Sequence, residues 1–162
     1  MKRALLLLAI VLCLAAVVIA APDFSGTWVL NAEKTAAANP QAAGGAGGAG
    51  GRGGGMGGGE MTIKMTATEM TISRTMGQNV QETKYILDGK ENTVNTGRGD
   101  LKYKATWGGD VLTIAGTQSS TRGDSPYKAE YSLSADGKTL TVANTRQGQS
   151  GEMVTKQIYD KK

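Results

Sequence analysis

This sequence of 162 residues predicts an all-β fold, an antiparallel up-and-down β-barrel of about 8–10 strands. Three observations carry that prediction. From Met61 onward apolar residues recur at every second position, the period of a strand with one face in and one face out. Turn signals at Asp88-Gly89, Gly108-Gly109-Asp110 and Asp136-Gly137 punctuate the alternation. The links are too short for the crossover that parallel neighbours require, so consecutive strands run antiparallel. A meander of that many strands curls, and closing on itself hides its two edges. An open two-sheet sandwich is the second architecture.

Residues 1–20 have the three parts of a secretory signal: Lys2-Arg3, an apolar run from Ala4 to Ile19, and the small-residue end Val18-Ile19-Ala20. The run of about 16 apolar residues is shorter than the roughly 20 that a spanning helix needs. Cleavage is expected after Ala20, because a cut after Ala21 would leave Pro22 directly beyond the scissile bond. The expected location is periplasmic or secreted, with residues 21–162 forming one barrel domain without a stable membrane anchor.

Phe24 to Leu30 reads as the first strand. Gly26 would let a neighbouring backbone approach closely, and Trp28 would plug one end of the barrel. Ala32 to Ala38 suits a short helical turn ended by Pro40. Residues 36–60 form an Ala/Gly-rich insert; 12 of the 24 glycines lie between Gly44 and Gly59. Such a segment has nothing to bury and is expected to be flexible.

Met61, Ile63, Met65 and Ala67 then alternate with polar residues, and Met70 and Ile72 follow a short turn. Val80 to Leu87 runs into the hairpin signal Asp88-Gly89, with a weaker strand over Glu91 to Thr96. The clearest apolar face is Leu101, Tyr103, Ala105 and Trp107. Val111 to Ala115 comes next, then a loose stretch from Gly116 to Pro126. Tyr127, Ala129, Tyr131 and Leu133 mark another strand, Leu140, Val142 and Asn144 the next, and Met153 to Tyr159 the last.

Composition excludes whole classes of function. Losing Lys2 and Arg3 with the signal leaves 16 basic residues against 14 acidic ones, and the charges alternate rather than cluster. Nucleic-acid binding needs a concentrated basic surface, so none is expected. Cys13, within the signal, is the only cysteine, and there is no histidine. The mature chain therefore lacks Cys and His nucleophiles, His bases and the usual ligands of zinc or haem. No metal, no cofactor and no enzymatic activity are expected, and the chain is expected to be a monomer.

Both ends of the chain resemble the lipocalin and fatty-acid-binding-protein superfamily, the calycins. Phe24-Ser25-Gly26-Thr27-Trp28-Val29-Leu30 is similar to that family's Phe-x-Gly-Thr-Trp-x-Leu opening strand. Ile158-Tyr159-Asp160-Lys161 is similar to its closing Arg-Ile-Tyr-Glu-Lys. The resemblance implies an exported, non-enzymatic carrier of a small apolar or amphipathic molecule. The alternative is an envelope interaction protein built on a filled barrel, protease-inhibitor-like or partner-binding. In the family, an arginine two residues before the closing tyrosine pairs with a ligand carboxylate. Gln157 stands there instead, which favours an uncharged polar head group. Gln157 and Tyr159 are the expected polar contacts; Tyr103, Trp107 and Tyr131 would line an apolar wall or pack the core.

Overall fold

The computed structural model describes residues 21–40, 59–76, 79–121, 123–148 and 151–162; the signal segment and most of the insert expected at 36–60 lie outside them. Among the described residues the chain forms ten strands and one short helix. The strands are β1 (Gly26–Leu30), β2 (Glu60–Met65), β3 (Glu69–Met76), β4 (Asn79–Ile86) and β5 (Glu91–Asn95). They continue as β6 (Asp100–Gly108), β7 (Val111–Ser120), β8 (Gly123–Leu133), β9 (Thr139–Gly148) and β10 (Gly151–Lys161), with α1 (Ala32–Ala37) following β1. Two limits of the expected insert shift: Ala36 and Ala37 belong to α1, and Glu60 opens β2.

All ten strands form one antiparallel sheet in the order β4-β3-β2-β1-β10-β9-β8-β7-β6-β5. β1 pairs with both β2 and β10, joining the two ends of the meander. The result is an up-and-down barrel closed everywhere except between β4 and β5. There the Asp88-Gly89 turn does not make the expected hairpin. Asp88 Oδ1 accepts from Lys90 N and Asn92 Nδ2, forming a local turn. The edge amide of Ile86 donates instead to the Tyr103 hydroxyl at 2.7 Å. Farther along, Gln81 Nε2 donates to the Thr96 carbonyl. Side chains therefore suture a seam that backbone pairing leaves open.

The stretch expected to be loose, Gly116 to Pro126, is strand. β7 and β8 pair from Leu112↔Tyr131 to Ser120↔Gly123. Pro126 is tolerated because β8 pairs with β9 only from Lys128 onward, so its N-terminal part has a free edge. Gly116 is required for a different reason: a Cβ there would lie 1.8 Å from the Lys102 carbonyl oxygen on β6. Gly26 is fixed by its backbone, at φ +146°, and by the Lys161 side chain, whose Cε would sit 2.8 Å from an added Cβ. It is a side-chain stem, not a backbone, that closes on this glycine.

The inward residues divide the barrel into two halves. At the end holding the β6–β7 and β8–β9 turns, Phe24 stacks on Trp107 at 5.7 Å and tilts against Tyr131 at 6.3 Å. Trp28 is fully buried there, its indole N–H donating to the Phe24 carbonyl at 2.9 Å and its ring lying 5.3 Å from Lys161 Nζ. Leu112, Ile114, Leu140 and Val142 complete a packed, apolar plug. The opposite half is polar and partly hollow.

At that opposite, mouth end β1 is too short to cover β10. Pairing stops at Leu30↔Tyr159, and side chains from the α1 segment take over. Asn31 caps α1 through Oδ1 to Lys34 N at 2.9 Å, while its own N–H donates to Ile158 O at 2.8 Å. Thr35 Oγ1 accepts from Ile158 N at 2.9 Å, and Asn39 brackets the Lys156 backbone. One carboxylate anchors the arrangement: Asp160 accepts from Asn31 Nδ2 and Lys34 Nζ, both at 2.7 Å.

Candidate ligand-binding site

The mouth half encloses a cavity of about 330 Å³. Each wall follows from strand parity. β3 sends Met70, Ile72 and then Arg74 inward; β4 sends Gln81, Thr83 and Tyr85; β9 sends Val142, Asn144 and Arg146. Of these, Arg74, Gln81, Thr83, Tyr85, Asn144 and Arg146 line the cavity, while Met70, Ile72 and Val142 belong to the apolar core. Part of its wall comes from β8 and β9 beyond the point where their ladder stops, at Lys128↔Thr145. Pro126 and Tyr127 there face Arg146 and Gln147 across an unpaired gap.

Four residues of the wall are basic (Arg74, Arg98, Lys128 and Arg146), and none of its described residues is acidic. Arg74 matters most because it is half-buried. Its Nη2 meets the Met61 thioether at 3.7 Å, and its Nε is buried without a well-aligned hydrogen-bond partner. The phenols of Tyr131 and Tyr159 lie within reach of its guanidinium and feel its charge, although Tyr159 Oη falls short of good hydrogen-bond geometry. Gln157 Oε1, two residues away on the same face of β10, is the third such atom. Buried polar atoms left unpaired are uncommon, because each forfeits its hydration without recompense. Here all three lie on the inward faces of β3 and β10.

The five tyrosines of the chain all point into the barrel. Burial pushes each phenol above its ordinary value near 10, since a phenolate there would be stripped of water. Arg74 pulls Tyr131 and Tyr159 the other way without cancelling the effect. The phenols are therefore neutral, able to donate one hydrogen bond each.

The residues singled out from sequence separate into distinct places. Tyr159 is buried beside Arg74, and Gln157 is half-buried next along β10. They do not satisfy one another, as both keep a free polar atom. Farther along the same face, Met153 is 62% exposed. Tyr103 meets Tyr85 edge-on at 5.3 Å and spends its hydroxyl on the seam. Trp107 packs in the plug, and Tyr131 bridges plug and Arg74. The cavity wall is formed chiefly by residues that sequence reasoning passed over: Arg74, Thr83, Asn144, Arg146 and Tyr127. Parity alone gave a signal for Arg74, two positions beyond Ile72. The expectation of a neutral head group rested on the loss of the closing-strand arginine. The structure places a guanidinium in the barrel from β3 instead.

No protein-family model and no curated protein sequence matches the chain. Among solved structures it is similar to zebrafish ileal bile acid-binding protein complexed with cholic acid. The TM-score is 0.55 at 20% identity, over 86% of this chain and 98% of that one. The likeness spans the barrel as a whole. The protein has a nearly closed, ten-stranded antiparallel barrel, the same fold as that structure.

Proposed function

We propose that this chain is a non-enzymatic, exported binding protein that holds a small amphipathic molecule in the mouth half of its barrel. One observation carries the reading. One half of the barrel is packed with apolar side chains, while the other keeps a cavity of about 330 Å³. Binding pockets run from about 300 to 1,000 Å³, so this one suits a compact molecule. Its polar walls argue against a long, purely apolar occupant. The structurally similar bile acid-binding protein, seen with cholic acid, supports the same reading. A filled scaffold would instead have side chains meeting at the axis along its whole length.

Native mass spectrometry of protein purified from its own host tests this. A small molecule retained in one-to-one stoichiometry and released on denaturation is expected. A bare chain, or one retaining only a protein partner, would favour the scaffold.

A further inference from the structure

We propose that the free edge of β10 at the mouth pairs with the same edge of a second copy, giving a two-fold dimer in place of the monomer expected from sequence. The pairing goes beyond the carrier reading and does not depend on it.

On an antiparallel strand the backbone groups of alternate residues point to the same side. Along β10 the even-numbered residues present theirs toward β1. Ile158 O accepts from Asn31 N, Ile158 N donates to Thr35 Oγ1, and Asn39 brackets Lys156. Val154 and Glu152 come next on that side. β1 reaches only from Tyr159 to Lys161, and β9 takes the opposite edge, so among the described residues none pairs with this side of Val154 and Glu152. Residues 151–156 are all exposed. Met153, at 62%, and Val154, at 50%, are two of the four exposed large apolar side chains among the described residues. Elsewhere the barrel protects its interrupted ladders. Tyr103 and Gln81 suture the β4–β5 seam, and Asp124 and Pro126 stand on the part of β8 that β9 leaves unpaired. Residues 151–155 of β10 hold neither lysine nor proline, and such an edge is a template for another strand.

A second copy complements this edge. A two-fold axis at Met153 sets Glu152 against the partner's Val154 and Val154 against the partner's Glu152. Each pair exchanges both backbone hydrogen bonds, so the two amides and two carbonyls of each copy are all satisfied. Met153 then faces the partner's Met153 in the closer, non-hydrogen-bonded position, and the two apolar side chains cover each other. Glu152, the one charge on the free stretch, lies diagonally from the partner's Lys156, within reach of long side chains. The register is fixed because Asn39 already occupies the edge at Lys156. The partner strand runs in the same sense as β1 and fills the place that β1 is too short to reach. Beyond the signal, 16 basic residues against 14 acidic ones leave little net charge to oppose association.

The contact is small, so the dimer should be weak, forming between about 10 μM and 1 mM. Sedimentation velocity of the protein purified from its own host should show a reversible shift from monomer to dimer over that range. Met153→Lys sets two ammonium groups against each other at the axis, and Val154→Pro removes an edge N–H that β9 does not use. Each should weaken dimerisation at least about tenfold while the native circular dichroism is retained. Register is read separately in a Cys13→Ser background, where an introduced thiol is the only one. Mild oxidation should cross-link Met153→Cys into a disulfide dimer. Thr155→Cys, roughly 14 Å from its counterpart, should stay uncross-linked. A monomer up to about 1 mM, a dimer that both Met153→Lys and Val154→Pro leave intact, or equal cross-linking at the two positions overturns the proposal. Protection of the Glu152 and Val154 amides from hydrogen exchange that does not change with protein concentration would mean that the chain covers its own edge, and overturns it too.

Discussion

Asn39 Nδ2 donates to the Lys156 carbonyl at 2.7 Å while Asn39 Oδ1 accepts from the Lys156 amide at 2.9 Å, across 117 positions of sequence. A side-chain amide thus imitates the backbone of the strand that β10 lacks at the mouth. With Thr35 doing the same for Ile158, two side chains four residues apart stand in for the next ladder rungs of β1. Asn39→Ala removes both bonds, together with the one from Nδ2 to the Thr35 carbonyl at 2.6 Å, and leaves the β10 edge to water. The expected loss is about 1–2 kcal/mol, read as a lower urea midpoint with an unchanged slope. An unaltered midpoint would mean that water serves that edge equally well.

Trp28 is fully buried and spends its only polar atom on the Phe24 carbonyl. Trp28→Ala should cost about 3–5 kcal/mol, since the surrounding strands cannot collapse onto so large a void. Trp28→Phe should cost less, losing the hydrogen bond but keeping most of the fill. Thermal melts of the two variants check the order.

Gly116→Ala adds a single methyl group, yet that carbon would fall 1.8 Å from the Lys102 carbonyl oxygen. β6 and β7 cannot both hold their register around it. The variant should be among the most damaging single-atom changes in the barrel, lowering the urea midpoint sharply. Gly109→Ala, where an added Cβ meets nothing and only a positive φ of +63° is at stake, should cost about 1 kcal/mol.

Much of this architecture was legible because strand parity is a local rule. Leu101, Tyr103 and Ala105 are all buried, as their alternation requires, and Trp28 closes one end. The misreadings have a common cause in tertiary context. Asp88-Gly89 has the composition of a hairpin turn, but whether the flanking strands pair is decided by Tyr103, which takes the Ile86 amide. The polar run from Gly116 to Pro126 looked like a loop because inward-facing residues at the mouth line a cavity and need not be apolar. Arg74 was hidden for the same reason. A charged residue at an inward position reads as an interruption of the pattern until a hollow is known to lie there.

The tyrosines give a prediction about alkaline pH. Each has its folded pKa raised above the ordinary value near 10 by burial. Between the unfolded and folded values the native state holds more protons than the unfolded chain. Stability is therefore complete below pH 10 and falls as pH rises beyond it. A spectrophotometric titration should show no phenolate while the native circular dichroism persists, then all five ionising together as the barrel opens. Reversible phenolate absorbance near pH 10 in the folded protein would contradict the burial of these side chains.

The acidic limit has the opposite sign. Asp160 is held below the ordinary 3.8 chiefly by the Lys34 ammonium and then by Asn31. Its contribution to docking α1 is present above that value and is lost as pH falls through its lowered pKa. Protection of the Ala32–Ala37 amides, taken relative to their intrinsic exchange rates, should fall below about pH 4 in wild type. Asp160→Asn should show the lower protection already at neutral pH.

The most direct measurement is an amide NMR titration of the full chain with anilinonaphthalene sulfonate. Saturable shifts are expected at Thr83, Tyr127, Asn144 and Arg146, around the cavity, with Trp28 and Leu112 in the plug unmoved. Shifts confined to the outer faces of the sheet, or no saturable shift at all, would contradict a binding site inside the barrel.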